Sequence, residues 1–394
     1  MKPDTSSLVA TAALAFASVL SGTLLIPVVR PIMHWVAPGN ESATHAFMAF
    51  NLLGGVVAAP IIARIARRAT SPATLVAAMA LADGALLLLI ASGLPLSAML
   101  IVRTIQGALN IGVLSTLMGA TRSGVAAKRG ARYGLLGMAM MLGVALGAPL
   151  GTACLSLGLS VPILASAALN LAVALSVRLA RLEPQSEPNS ALVAKVTLWR
   201  PALWVFAERF SVGLFVVTFA LHVRACLGTS DARNGLLLTA FLVPFALAVY
   251  PAGRIADRLE GRSFAALGLC VYGVGFLLLR VATESQLLLL MPTLGLASAV
   301  IFASAMREVA SVDNSQSRVV AMSILNSAGN LGMLLGTAIA GIVSATLRAH
   351  GGSLHSAHAL VFGIGGAVPL GIASLTLGAL VIAQRGARSV RLRS

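Results

Sequence analysis

The chain has 394 residues, 58% of them hydrophobic and 10% charged, with a mean hydropathy of +0.93 and a formal net charge of +16. Soluble domains carry about 25% charged residues, so this composition excludes a water-solvated globular chain and makes lipid the main solvent. Unbroken apolar runs at 86–90 and 287–290 also exclude the alternating pattern of a membrane β-barrel, and lipid-exposed backbone must then be helical.

Taken in chain order, apolar runs long enough to span a bilayer are predicted at 8–29, 45–63, 73–93, 95–118, 133–156, 160–179, 200–222, 235–253, 264–282, 286–306, 318–346 and 358–384. The first is too long for a signal-peptide core and leads into further spans, so it reads as a helix. The longest polar break, Arg181 to Lys195, carries Pro and Ser and reads as a linker. It divides the chain into a first unit at 1–180, a linker at 181–199 and a second unit at 200–394. The expected fold class is an all-α integral membrane protein of twelve helices in two six-helix bundles.

Basic residues gather in alternate connections: Arg64, Arg67 and Arg68; Arg122, Lys128, Arg129 and Arg132; Arg254, Arg258 and Arg262; and the run from Arg385 to Arg393. Arg30, Arg224, Arg233, Arg280 and Arg348 fall on the other side. This bias predicts both termini in the cytoplasm of a multi-pass protein of the inner or plasma membrane. It also accounts for the net charge without nucleic acid as a partner.

Cys154, Cys226 and Cys270 stand singly in or beside apolar runs, with no CxxC or Cys/His spacing, so neither a metal nor a disulfide is expected. His222, near the outer end of the seventh span, reads as a solvated interfacial side chain. No phosphate-binding Gly-rich loop with Lys-Ser/Thr occurs, which leaves ATP drive unsupported. No nucleophile–base or metal cluster stands in the loops, so the chain reads as a non-enzyme without cofactors.

Two charged turns mark a duplication. Gly253-Arg254-Ile255-Ala256-Asp257-Arg258 separates two apolar runs, and a weaker copy occupies 59–68, with Arg64, Arg67 and Arg68. The second copy resembles the Gly-x-x-x-Asp-Arg-x-Gly-Arg-Arg turn of the major facilitator superfamily, which follows the second and eighth helices there. Matched to that pattern, the first copy has Ala59, Ala63 and Ala66 where the family has Gly, Asp and Gly. Arg103-Thr104-Ile105-Gln106-Gly107 resembles the family's Arg-x-x-Gln-Gly of the fourth helix. Gly143, Gly147, Pro149 and Gly151 loosely resemble a hinge or packing motif associated with exporters in the fifth, Ala148 displacing the proline. The resemblance implies secondary transport by alternating access, a small-molecule substrate bound between two bundles, and a cytoplasmic gate at the charged turns. With the first acidic position lost, the gate is expected to depend on Asp257, acting as a latch beside a helix N-terminus.

Ionisable groups inside a membrane are functional suspects. Asp83, Arg103, Glu208 and Arg209 are the deep ones, with Gln106, Asn326 and Asn330 as polar neighbours. Glu208 is expected to face the central cavity and carry a proton, or else to form a structural ion pair with a neighbouring helix. Adjacent helical positions diverge by about 100°, so Glu208 and Arg209 are expected to face different ways. Asp83 lies at similar depth to Arg103, which makes a pair possible, although a packing role for Asp83 is the favoured reading. Asn326 and Asn330 share one helix face and read as packing groups first. The functional reading taken is proton-coupled export of a small apolar or amphipathic compound by a monomer in the bilayer. The alternatives are small-metabolite uptake by symport or facilitated diffusion, and a transporter-like sensor or membrane assembly protein.

Overall fold

The computed structural model describes residues 5–38, 41–68, 71–122, 126–184, 198–259, 261–312, 314–351 and 353–391, and among these every long element is a helix. The helices are α1 (Thr5–Thr23), α2 (Glu41–Arg68), α3 (Pro72–Ala91), α4 (Leu96–Gly119), α5 (Arg129–Leu155), α6 (Val161–Ser176), α7 (Trp199–Leu227), α8 (Asp231–Arg258), α9 (Gly261–Leu278), α10 (Glu284–Ala310), α11 (Ser315–Ala349) and α12 (Leu354–Arg391). Counting α1 with its continuation, twelve spans among the described residues are long and apolar enough to cross a membrane. Most of the expected linker lies outside the described residues, as do Glu260, the side chains of Arg67 and Arg348, and the charged side chains of the C-terminal run.

Two departures from the predicted spans have simple causes. The first span is broken: α1 ends at Thr23, a 3₁₀ turn follows at Ile26–Val28, and a short helix resumes at Val29–Val36. Pro27 lies at the start of the turn, where a missing N–H costs nothing. Helices α8, α11 and α12 outrun their apolar segments, because hydropathy marks the lipid-immersed part of a helix and not its polar ends. Local chemistry sets those ends. Ser230 accepts a hydrogen bond from the Arg233 N–H at the start of α8, and Gly228, at φ 67°, closes α7.

Packing repeats itself between the halves. In the first six helices α1 lies on α5 and α6, α2 on α4, and α3 on α4 and α6. In the last six, α7 lies on α11 and α12, α8 on α10, and α9 on α10 and α12. Contacts between the halves repeat too: α5 meets α8 and α10, while α11 meets α2 and α4. Large apolar side chains such as Val281, Leu289 and Ile382 stay exposed on the outside, which suits a surface covered by lipid.

Glycines set the register of this repeat. A Cβ on Gly107 would strike the Asn51 carbonyl and Gly55 nitrogen on α2, and one on Gly295 would strike the Phe241 carbonyl and Phe245 nitrogen on α8. Gly143 likewise abuts Phe16 and Leu20 on α1, as Gly332 abuts Phe206 and Phe210 on α7. Small residues let helix backbones approach this closely in a membrane. Gly55 and Phe245 therefore occupy equivalent places, and stepping equally along both helices pairs Ala63 with Gly253, Arg64 with Arg254, and Arg67 with Asp257. This corrects the sequence match that put Ala63 in the acidic place. The aspartate position of the second half is a basic position in the first.

Candidate functional site

The second charged turn meets the first half directly. Asp257, at the last turn of α8, accepts hydrogen bonds from the backbone N–H groups of Gly130 (2.7 Å) and Ala131 (2.9 Å), at the N-terminus of α5. Those N–H groups have no partner within their own helix, and the helix dipole adds to the attraction. Arg307 lies 3.6 Å from the same carboxylate, whose side chain is 6% exposed. The approach depends on glycine on both sides. A Cβ on Gly130 would lie 2.3 Å from the Gly253 carbonyl, and one on Gly253 would lie 2.2 Å from the Gly130 carbonyl. A cavity of about 410 Å³ opens beside the contact, lined by Lys128, Tyr250, Arg254, Asp257 and Arg258 among others. Arg64, Arg68, Arg254 and Arg258 are exposed.

The opposite junction uses the opposite charge. Arg318, 1% exposed at the start of α11, donates to the carbonyls of Gly119 (3.1 Å) and Thr121 (3.4 Å) at the end of α4, and to that of Val312 (3.0 Å). It also pairs with Glu183. A cation is stabilised at a helix C-terminus as an anion is at an N-terminus. Gln316 donates to the Ala66 carbonyl of α2, Ser327 to that of Gly55, and Asn326 to the Ser115 hydroxyl of α4. The sequence patterns did not single out Arg318. A lone arginine opening a long apolar run was the available signal.

Glu208 and Arg209 depart from expectation. Glu208 is 1% exposed, accepts a hydrogen bond from Ser298 on α10 and lies close to Tyr272 on α9. It thus points into the second half, not into a cavity between the halves. Arg209 Nε lies 3.2 Å from its carboxylate. The helical divergence predicted for the two positions holds at Cα, but the long arginine arm folds back across it. The guanidinium then sits 5.9 Å from the ring centres of both Phe245 and Phe302 and approaches Met141 of α5.

Asp83 and Arg103 do not form a direct ion pair. Asp83 accepts from the Asn170 amide of α6 at 2.9 Å. Arg103 donates to Gln106 at 3.0 Å and stacks 4.4 Å above the Phe47 ring. Gln106 stands between the charges, which act on each other at a distance. The repeat places Tyr272 where Asp83 stands: each precedes a glycine, Gly84 or Gly273, that packs on the sixth helix of its half.

Asn326 and Asn330 both face the first half, Asn330 against Gly55. Gly143 and Gly147 pack on α1 from Phe16 to Thr23 and Gly151 on Leu24 and Pro27 just beyond it, whereas Pro149 is exposed. His222 is not solvated. It is 3% exposed, with His358 of α12 and Cys226, one helical turn further along α7, close by.

The structure is thus an all-α bundle whose two halves repeat one packing pattern and are joined at one end by polar contacts and close backbones. Residues 202–390 match the family model described as Major Facilitator Superfamily. The fold is similar to that of the human organic anion transporter MFSD10 (TETRAN), with a TM-score of 0.73 at 16% identity, over 95% of this chain and 100% of that one. It is similar also to a variant of the E. coli fucose:proton symporter FucP (TM-score 0.68, 16% identity, 94% and 98% covered) and to FucP in the outward conformation (0.70, 18%, 94% and 98%). No curated protein sequence matches. The second half thus matches the model of the Major Facilitator Superfamily, and the whole chain shares the fold of these transporters.

Proposed function

We propose that this protein is a proton-coupled exporter of a small apolar or amphipathic compound, and that its basic end faces the cytoplasm. The observation that carries the reading is the position of the contacts between the halves. The hydrogen bonds of Asp257, Arg318, Gln316 and Ser327 to the first half gather near the basic end, as do the Gly130–Gly253 and Gly119–Val319 approaches. With that end cytoplasmic, the conformation is closed inside and faces outward. The units 1–180 and 200–394 would rock about the interface, breaking these contacts as the inner side opens. The aromatic and methionine surroundings of Arg209 support an apolar or amphipathic cargo.

Glu208 is the proposed proton carrier, through its pair with Arg209. Purified protein in liposomes should expel its substrate faster under an imposed pH gradient, and Glu208→Gln should remove that acceleration while leaving downhill flux. Flux indifferent to the gradient in the unmodified protein would overturn proton coupling. The second reading, uptake by symport, rests on the same pair. A proton on Glu208 would release Arg209 to an anionic substrate, so proton and substrate would bind together. Acid pH strengthening substrate binding would favour symport, and acid pH weakening it would favour export.

A further inference from the structure

Away from the gate, at the end opposite the basic turns, α7 and α12 bring together His222, Cys226 and His358. One ligand atom from each lies within 4.8 Å of the other two. His222 and Cys226 are four residues apart on α7 and so share one face of that helix. His358 reaches them from the first turns of α12, its ring centre 5.5 Å from that of His222. His222 and His358 are 3% and 1% exposed, and the buried Nδ1 of His222 has no hydrogen-bond partner. A buried imidazole nitrogen left unmatched is costly. Coordination to a cation would satisfy it.

We propose that His222, Cys226 and His358 bind a transition metal ion of the Zn²⁺ class. Two imidazoles and a thiolate make a borderline-soft set that suits Zn²⁺ and disfavours Mg²⁺ and Ca²⁺. Zinc takes such ligands at about 2.0–2.3 Å in a tetrahedron, so small rotamer changes close the set. Binding exchanges the Cys226 thiol proton for the metal, and that proton leaves to water. His355, exposed and with its ring centre 5.8 Å from that of His222, is placed to complete the tetrahedron, with water as the other choice. Phe362, edge-on to His222 at 5.2 Å, walls one side of the site. The ion would tie the end of α7 to the start of α12 inside the second half. It is a resident site, separate from the Asp257 and Arg318 junctions and independent of what is transported.

The test uses the purified full-length chain in detergent with Co²⁺ as a spectroscopic stand-in. The expected result is one bound Co²⁺ per chain, showing tetrahedral d–d bands and a thiolate-to-cobalt charge-transfer band, displaced by Zn²⁺. Cys226→Ser should abolish the charge-transfer band, and His358→Gln should weaken binding at least tenfold. Against misfolded variants, the unmodified protein provides a second readout. Zn²⁺ should slow alkylation of Cys226 at least fivefold, but not that of Cys154 or Cys270, by peptide mass spectrometry. Co²⁺ binding without a thiolate band, no binding at micromolar metal, or equal protection of all three cysteines would overturn the site.

Discussion

Asp257 Oδ1 accepts a hydrogen bond from the Gly130 N–H at 2.7 Å, joining the end of α8 to the start of α5. One carboxylate thus bridges the two halves through a helix N-terminus. Its place in the first half is taken by Arg67, so the repeat does not build this contact twice. At the equivalent junction between α2, α4 and α11 the work falls to Arg318, which binds carbonyls at a helix C-terminus. Both junctions use the fixed partial charges of helix ends.

Asp257→Asn should loosen the basic end. It removes the charge and one of the two acceptor oxygens, leaving a single neutral hydrogen bond, a loss of about 1.5 kcal/mol where the acceptor was ionised. The equilibrium should move about tenfold towards the state open at that end. Labelling rates of single cysteines introduced near each end check this, and unchanged rates at both ends would remove Asp257 from the gate.

Gly130→Ala and Gly253→Ala should act in the same direction by a steric route. Each adds a Cβ within 2.3 Å of the facing carbonyl, so the two helices must separate. Residues in contact couple, and the double variant should therefore open the end by less than the product of the two single effects. Crosslinking between α5 and α8 reads the separation.

Arg318→Met should lower stability more than any change at the exposed arginines Arg64, Arg68, Arg254 or Arg258. It leaves the buried carbonyls of Gly119 and Val312 without their donor, a loss of about 1–3 kcal/mol. The exposed arginines contribute within about 0.5 kcal/mol. Thermal melts in detergent compare them, and Arg318→Lys should recover only part of the loss, lacking the planar fork.

Asp83→Asn should cost little transport, below about threefold, because an amide can still accept from Asn170. Asp83→Leu should be far worse, since Asn170 is then left buried without its partner. Exchanging Asp83 and Arg103 should rescue nothing. Rescue by the charge swap would show a direct pair that Gln106 does not mediate.

The amino-acid sequence alone determined the solvent, the helical class, the number of spans, the charge asymmetry and the duplication. These follow from composition and from runs of local residues, because a bilayer demands long apolar helices whatever their packing. It also singled out Asp257 as an anion beside a helix N-terminus. Only the tertiary structure decided which N-terminus that is, and that Arg67 holds the matching place, because equivalence between halves is set by glycine contacts such as Gly107 on Asn51 and Gly295 on Phe241. It decided that Glu208 turns to Ser298 and that Gln106 separates Asp83 from Arg103. It also brought Cys226 and His222 to His358, residues far apart in the chain. Such pairings depend on side-chain rotamers and on distant helices meeting, and no local pattern encodes them.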